Sequence, residues 1–251
     1  MLRTLTFSLL MTFSVGACST TPATSSGEVY DPLEPLNRRV FAFNEAADKA
    51  VIGPTARAYE TVTPGFFRVG VSNFLSNLSS PVVFANDILQ GEPKRAGDTL
   101  FRFLVNSTFG VAGIMDPAEH ELGRPGHSED FGQTLATWGV PEGPFVVLPI
   151  LGPSNARDGV GSVVDIFLDP LGYDAVIAND DTRTTVAVSR NVFGALNARV
   201  ALDEAFTVLR EQPEPYVAYK RTYTAQRQAE IRNGQEIEDP YTDLPDFDDF
   251  E

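Results

Sequence analysis

Two carboxylates, Asp158 and Asp165, stand seven residues apart in "NARDGVGSVVDIFLDP", with Ser162 between them. Seven residues is two helical turns, so the pair shares one face of any helix formed here. Two readings follow. Asp158 could cap a helix start, where negative charge is favourable, leaving Asp165 facing solvent. Alternatively, both line a water-filled passage through an otherwise greasy body, where polar groups escape the cost of burial in hydrocarbon. Other chemistry is sparse. His120 and His127 lie in a Gly/Pro loop at a spacing that matches no metal motif. There is no G-x-S-x-G turn for a serine nucleophile, no dinucleotide glycine fingerprint and no phosphate loop. The residues point to a non-enzyme that uses no cofactor and no metal.

The single cysteine, Cys18, follows a signal-like stretch: Arg3, an apolar run from Leu5 to Val15 too short to span a bilayer, then Gly16 and Ala17. Val15-Gly16-Ala17-Cys18 resembles a bacterial lipobox, in which the Cys becomes the lipidated first residue of the mature chain. The alternative is an ordinary signal peptide with a chance Cys. Several acyl chains anchor stably where one does not. Residues 1–17 therefore read as signal peptide, and 18–27, "CSTTPATSSG", as lipidated Cys and flexible tether. Residues 235–251 carry eight carboxylates with no Lys or Arg, an expected disordered tail that either solubilises the chain or docks a basic partner. The net charge of -15 argues against nucleic acid, whose phosphates need clustered cations.

Between these ends the positioning elements read as helices punctuated by proline. Asp31, Pro32 and Glu34 have N-cap, N1 and N3 spacing, with Pro35 an alternative start. Separate helices are expected from Thr63-Pro64, from Ser80-Pro81 to Gly91, and from Pro93. One long helix is expected over 183–211 and a last one over about 216–232. Period-2 alternation is nearly absent, so the fold class is all-α. The segment 116–157 is a Gly/Pro-rich loop that stays hydrophobic from Phe145 to Leu151, unusual enough to imply a functional or interfacial reason. The short helices are Phe-rich and apolar over much of their circumference. Such helices are either deep core or bathed in lipid, and lying in an interface plane suits their length.

"DPLEPLNRRVFAFN", "SNFLSNLSSPVVFANDILQGEPKRA", "RFLVNSTFGVAGIMDPA", "EDFGQTLATWGVPEGPFVVLPILGPSNARDGVG" and "EPYVAYKRTY", in this order over residues 28–234, resemble the MlaA (VacJ) family of outer-membrane lipoproteins. The resemblance implies an all-α, ring-like body of amphipathic helices in the plane of the periplasm-facing leaflet of the outer membrane, around a polar channel. It implies removal of mislocalised phospholipids from the outer leaflet, handover to the periplasmic carrier MlaC, association with a trimeric porin, and no cofactor. By position, Asp158 and Asp165 match acidic channel-facing residues, while Gly159 and Ser162 stand where some relatives carry further Asp. Gly139, Pro141 and Gly143 match a loop thought to govern channel shape. Phe43 and Asn44 match a helix position linked to channel control, although Asn44 would also suit plain helix surface.

Overall fold

The computed structural model describes residues 29–169 and 181–233, and, of these, the side chains of 181–183 are left aside. Cys18, the tether and the acidic tail lie outside the described residues. Helix α1 (Glu34–Ala47) starts one residue before Pro35, whose fixed φ suits a first turn. It runs through a π-helical turn (Asp48–Ile52) into α2 (Gly53–Val62). After the extended Thr63 comes α3 (Gly65–Leu89), then α4 (Pro93–Thr108). The expected break at Ser80-Pro81 does not occur. Pro81 sits inside α3, so the two helices read from the sequence are one. A proline costs an interior helix one N–H and a clash, and here the packing of α3 along α4 holds the continuous helix.

The Gly/Pro segment contains a short α5 (Pro117–His120), α6 (Phe131–Thr137) and a two-stranded antiparallel hairpin, β1 (Phe145–Leu148) and β2 (Gly152–Asn155). The chain continues through α7 (Ala156–Leu168), α8 (Asp181–Ala201), α9 (Asp203–Arg210) and α10 (Pro215–Ile231). The single helix expected over 183–211 is thus two, parted at Leu202. The fold is mostly helical, and the hairpin is the strand structure among the described residues. No described helix is long and apolar enough to cross a membrane.

The distribution of polarity is inverted relative to an ordinary globule. Phe66 on α3 and Phe109 after α4 are about four-fifths exposed, and Leu104, Val160, Val163 and Phe167 are also exposed. The buried set is instead rich in Asn37, Asn86, Asp87, Glu129, Gln133, Thr134, Asp158 and Arg227. The compact apolar cluster is small: Phe145, Val147 and Tyr216, with Val40, Phe41 and Tyr223 packed against it.

Two asparagines of α1, two turns apart, fix the hairpin. Asn37 donates from Nδ2 to the Phe145 carbonyl (2.9 Å), and its Oδ1 accepts the Val147 N–H (2.9 Å). Asn44 donates to the Leu148 carbonyl (2.9 Å) and accepts the Ile150 N–H (2.8 Å). Each side-chain amide copies the pairing a neighbouring strand would give the β1 edge. The Asn44 bond also holds Ile150 at φ 65°, a conformation costly for a β-branched residue.

Replacing Asn44 by Ala is expected to cost about 1–3 kcal/mol, two hydrogen bonds' worth. Hydrogen exchange should accelerate at the Ile150 amide, whereas the amides of α3 and α4 should exchange as before.

Candidate functional site

The site is built where α6, α7 and α10 meet. Asn155 caps α7: its Oδ1 accepts the Asp158 N–H (2.8 Å) while its Nδ2 donates to the Asp158 carboxylate (2.8 Å). Asp158 is therefore an N3 residue of a reciprocal cap. It is also buried, and its carboxylate accepts from Tyr223 Oη (2.7 Å), Arg157 Nε (3.1 Å) and Arg227 Nε (2.8 Å). Arg227 extends its other two nitrogens to Asp130, bidentately, at 2.7 and 2.6 Å. Asp130 in turn caps α6 through the Gln133 N–H (2.9 Å). One guanidinium thus ties the starts of two helices to α10. Burial alone would raise Asp130, but Arg227 and the cap bond outweigh it and hold the carboxyl below its usual range. Burial and the Asp158 hydrogen bond push the Tyr223 phenol well up, so it stays a donor.

Asp165 lies two turns along α7 and has a different environment. It accepts the first N–H of α6, that of Phe131, at 3.1 and 3.0 Å, and Asn86 Nδ2 at 3.1 Å. Burial is the main cause of its raised carboxyl, and Asp130 adds like-charge repulsion. Glycines allow this closeness. A Cβ on Gly161 would stand 2.3 Å from the Gly132 nitrogen, and one on Gly132 would stand 2.7 Å from both Asp158 Oδ1 and Arg227 Nη2.

Two polar cavities open beside these residues. One, of about 480 Å³, is bordered by Ser79, Ser128, Asp130, Ser162, Asp165 and Arg190. The other, of about 220 Å³, is bordered by Ser154, Asp158, Tyr223 and Arg227, and shares Asp130 and Ser162 with the first. Ser162, exposed on α7, donates to the Asp158 carbonyl (2.9 Å). Arg190 pairs with Asp169 and donates to Ser79 Oγ (3.0 Å), which places a cation on the wall of the larger cavity. The fold therefore brings Asp158 and Asp165 to neighbouring cavities, with Asp158 largely committed to internal bonds. Gly139 (φ 84°) ends α6 and Gly143 (φ 71°) precedes the hairpin, both in the left-handed region. Pro141 lies between them. The loop is tied to α7 by the Arg157 N–H donating to the Glu142 carbonyl (3.1 Å). Phe43 is about half exposed and Asn44, its neighbour, holds the hairpin.

The polar residues most important to the geometry lie far apart in the chain: Asn37, Asp130, Arg190, Tyr223 and Arg227. Asp130 was legible as an N-cap four residues after Gly126, but nothing local signals that Arg227 reaches it.

His127 has been brought against Asp87, its Nε2 lying 3.0 and 3.1 Å from the two carboxylate oxygens, with Glu129 close by. Arg95 supplies the positive charge there through its ion pair with Glu129, and Gln90 also donates to Glu129 (2.9 Å). Thr99 Oγ1 donates to Asp87 (2.7 Å) and sits 3.4 Å from His127 Nε2. This is not a nucleophile relay. A relay needs the carboxylate and the hydroxyl on opposite ring nitrogens, and here both face the same one.

Asp130 stabilises the fold above its unfolded pKa of 3.8, and that contribution is lost as pH falls through its depressed folded value. Arg227→Gln should cost about 3–5 kcal/mol at neutral pH, the penalty of stranding a buried charge. Its acid-unfolding midpoint, read by circular dichroism, should move to higher pH.

Comparisons with known proteins bear on this geometry. The chain is 32% identical over 210 residues to the Escherichia coli (strain K12) intermembrane phospholipid transport system lipoprotein MlaA, covering 82% of this chain and 80% of that one. It is 29% identical over 253 residues to the Haemophilus influenzae protein of the same name, with 97% and 96% covered. An uncharacterized Rickettsia felis protein is 36% identical over 215 residues, with 85% and 82% covered. A solved chain from work on the structural basis for maintenance of bacterial outer membrane lipid asymmetry superimposes with a TM-score of 0.71 at 29% identity, over 80% of this chain and 98% of that one. The family model described as MlaA lipoprotein matches residues 29–230, and the chain belongs to that family.

Proposed function

We propose that this protein removes mislocalised phospholipids from the outer leaflet of the outer membrane and passes them through a polar channel to a periplasmic carrier of the MlaC kind. Lipid asymmetry is thereby maintained. The reading is supported by the names of the Escherichia coli and Haemophilus influenzae relatives, which place those proteins in a phospholipid transport system rather than among enzymes. The single observation that carries it is the pair of polar cavities joined at Asp130 and Ser162 inside a chain whose helices turn apolar faces outward.

The physical logic follows from the amphiphile. A phospholipid head carries charge, and moving it through hydrocarbon without partners is the costly step. A polar hole bounded by apolar helices lets the head stay hydrated while the tails remain in apolar surroundings. Exposed Phe66, Phe101, Leu104 and Phe109 suit helices that lie in one leaflet without spanning it. In this reading Cys18 carries the acyl anchor on the periplasm-facing leaflet, and a trimeric porin sets the depth. Asp165 and Arg190 offer opposite charges to a zwitterionic head, whereas Asp158 keeps the wall in shape through Arg227. Gly139, Pro141 and Gly143 seat the hairpin, and Asn44 with Phe43 controls its position. The passage is downhill and needs no nucleotide.

Ser162→Phe should plug the junction without unfolding the chain, because the serine faces open space. Cells carrying it should hold more surface phosphatidylethanolamine, labelled in intact cells with a membrane-impermeant amine reagent, to the extent seen when the protein is absent. Normal surface levels, with the variant present in the outer membrane at ordinary amounts, would sink the channel reading.

A further inference from the structure

Beside the smaller polar cavity lies a cleft of opposite character, about 340 Å³ in volume. Phe41 of α1, Ile150 and Leu151 of the hairpin turn, and Leu202, Phe206 and Leu209 around α9 form much of its wall. The two spaces are neighbours along two elements. Gly152 borders the cleft and the next residue, Pro153, borders the polar cavity. Tyr219 borders the cleft and Tyr223, one turn further along α10, borders the polar cavity. The volume falls among those of sites that hold small molecules.

We propose that this cleft receives one acyl chain of a phospholipid whose head lies in the polar cavities, an assignment that rests on the channel reading above. Three observations favour a hydrocarbon chain as the occupant. The cleft abuts a polar space, so head and tail of one amphiphile are both accommodated. The charged groups at its edge already satisfy one another: Arg199 donates to Asp48 (2.7 and 3.1 Å), and Arg210 donates to Asp48 (2.6 Å) and Glu45 (2.9 to 3.2 Å). They therefore present no unpaired charge to a neutral tail, and no free cation to an acidic peptide. Finally, Ala195 and Ala198 leave exposed space on the α8 side where larger residues would fill it. Tyr219, whose phenol is pushed up to about 12 by burial and by Glu45, stays uncharged at the mouth between the two spaces.

The test uses the full-length protein in vesicles of phosphatidylethanolamine and phosphatidylglycerol. One phosphatidylethanolamine probe carries a diazirine midway along an acyl chain, and a second carries it on the head. Adducts are mapped by proteolysis and mass spectrometry. The chain probe should label residues 195–209 and the head probe residues 154–165. Ala198→Trp should lower the chain labelling of 195–209 about tenfold, the effect of uncovering about two methylene groups, and leave head labelling unchanged. If its helical circular dichroism is lost, Ala195→Trp serves instead. Chain labelling confined to the outer faces of α3 and α4, and indifferent to either tryptophan, overturns the acyl site alone. Absence of head labelling at 154–165 in the unaltered protein overturns the channel reading and with it this proposal.

Discussion

With its large apolar side chains turned outward along α3, α4 and α7, this chain must fill its interior with polar ones, and a buried polar group without a partner costs about 1–3 kcal/mol. That constraint organises the structure. Asn86 is bonded to Asp165 and Thr134, Asp87 to Thr99 and His127, and Asp158 to a tyrosine, an asparagine and two arginines. Asn77 Oδ1 stands out as a buried oxygen with no protein donor. It borders a polar space of about 30 Å³, about the volume a water molecule occupies in the liquid. Stability here comes less from an oily core than from a hydrogen-bonded lattice that loses much when one member is removed.

The same constraint explains why the site is rigid on one side. Arg227 cannot leave Asp158 and Asp130 without stranding two carboxylates, so α6, α7 and α10 move as a unit. The hairpin is attached differently. Asn37 grips its base, which is buried with Phe145, whereas Asn44 grips its exposed tip, where Leu151 is four-fifths accessible. Flexibility is therefore graded along the hairpin, least at β1 Phe145 and greatest at the turn.

Much of the frame was legible because proline and glycine act locally. Pro35, Pro93 and Pro215 do mark helix starts, and the seven-residue spacing of Asp158 and Asp165 does put both on α7. What failed was tertiary. Pro81 reads as a start, yet contacts with α4 carry α3 through it. The two carboxylates read as equivalents, and their spacing cannot tell that an arginine sixty-nine residues away claims only one. The hairpin escaped notice because β1 is four residues long and its pairing is completed by two helix-borne asparagines rather than by a third strand. Gly132 and Gly161 gave no periodic signal, since their role is the absence of a side chain where two backbones meet. The anchor and tail, at Cys18 and beyond residue 234, lie outside the described residues.

The π-helical turn at Asp48–Ile52 has a consequence for length rather than chemistry. Its closing bond runs from the Gly53 N–H back five residues to the Asp48 carbonyl, so the turn holds one residue more than an α-helix would. Deleting a single residue there would leave an unbroken helix but rotate everything after it by about 100°. Tyr59, which now donates to Asn197 on α8, would swing away from its partner while Asn44 kept the hairpin. A one-residue indel at this point acts as a dial between the two halves of the first long helix, and counting residues here matters as much as naming them.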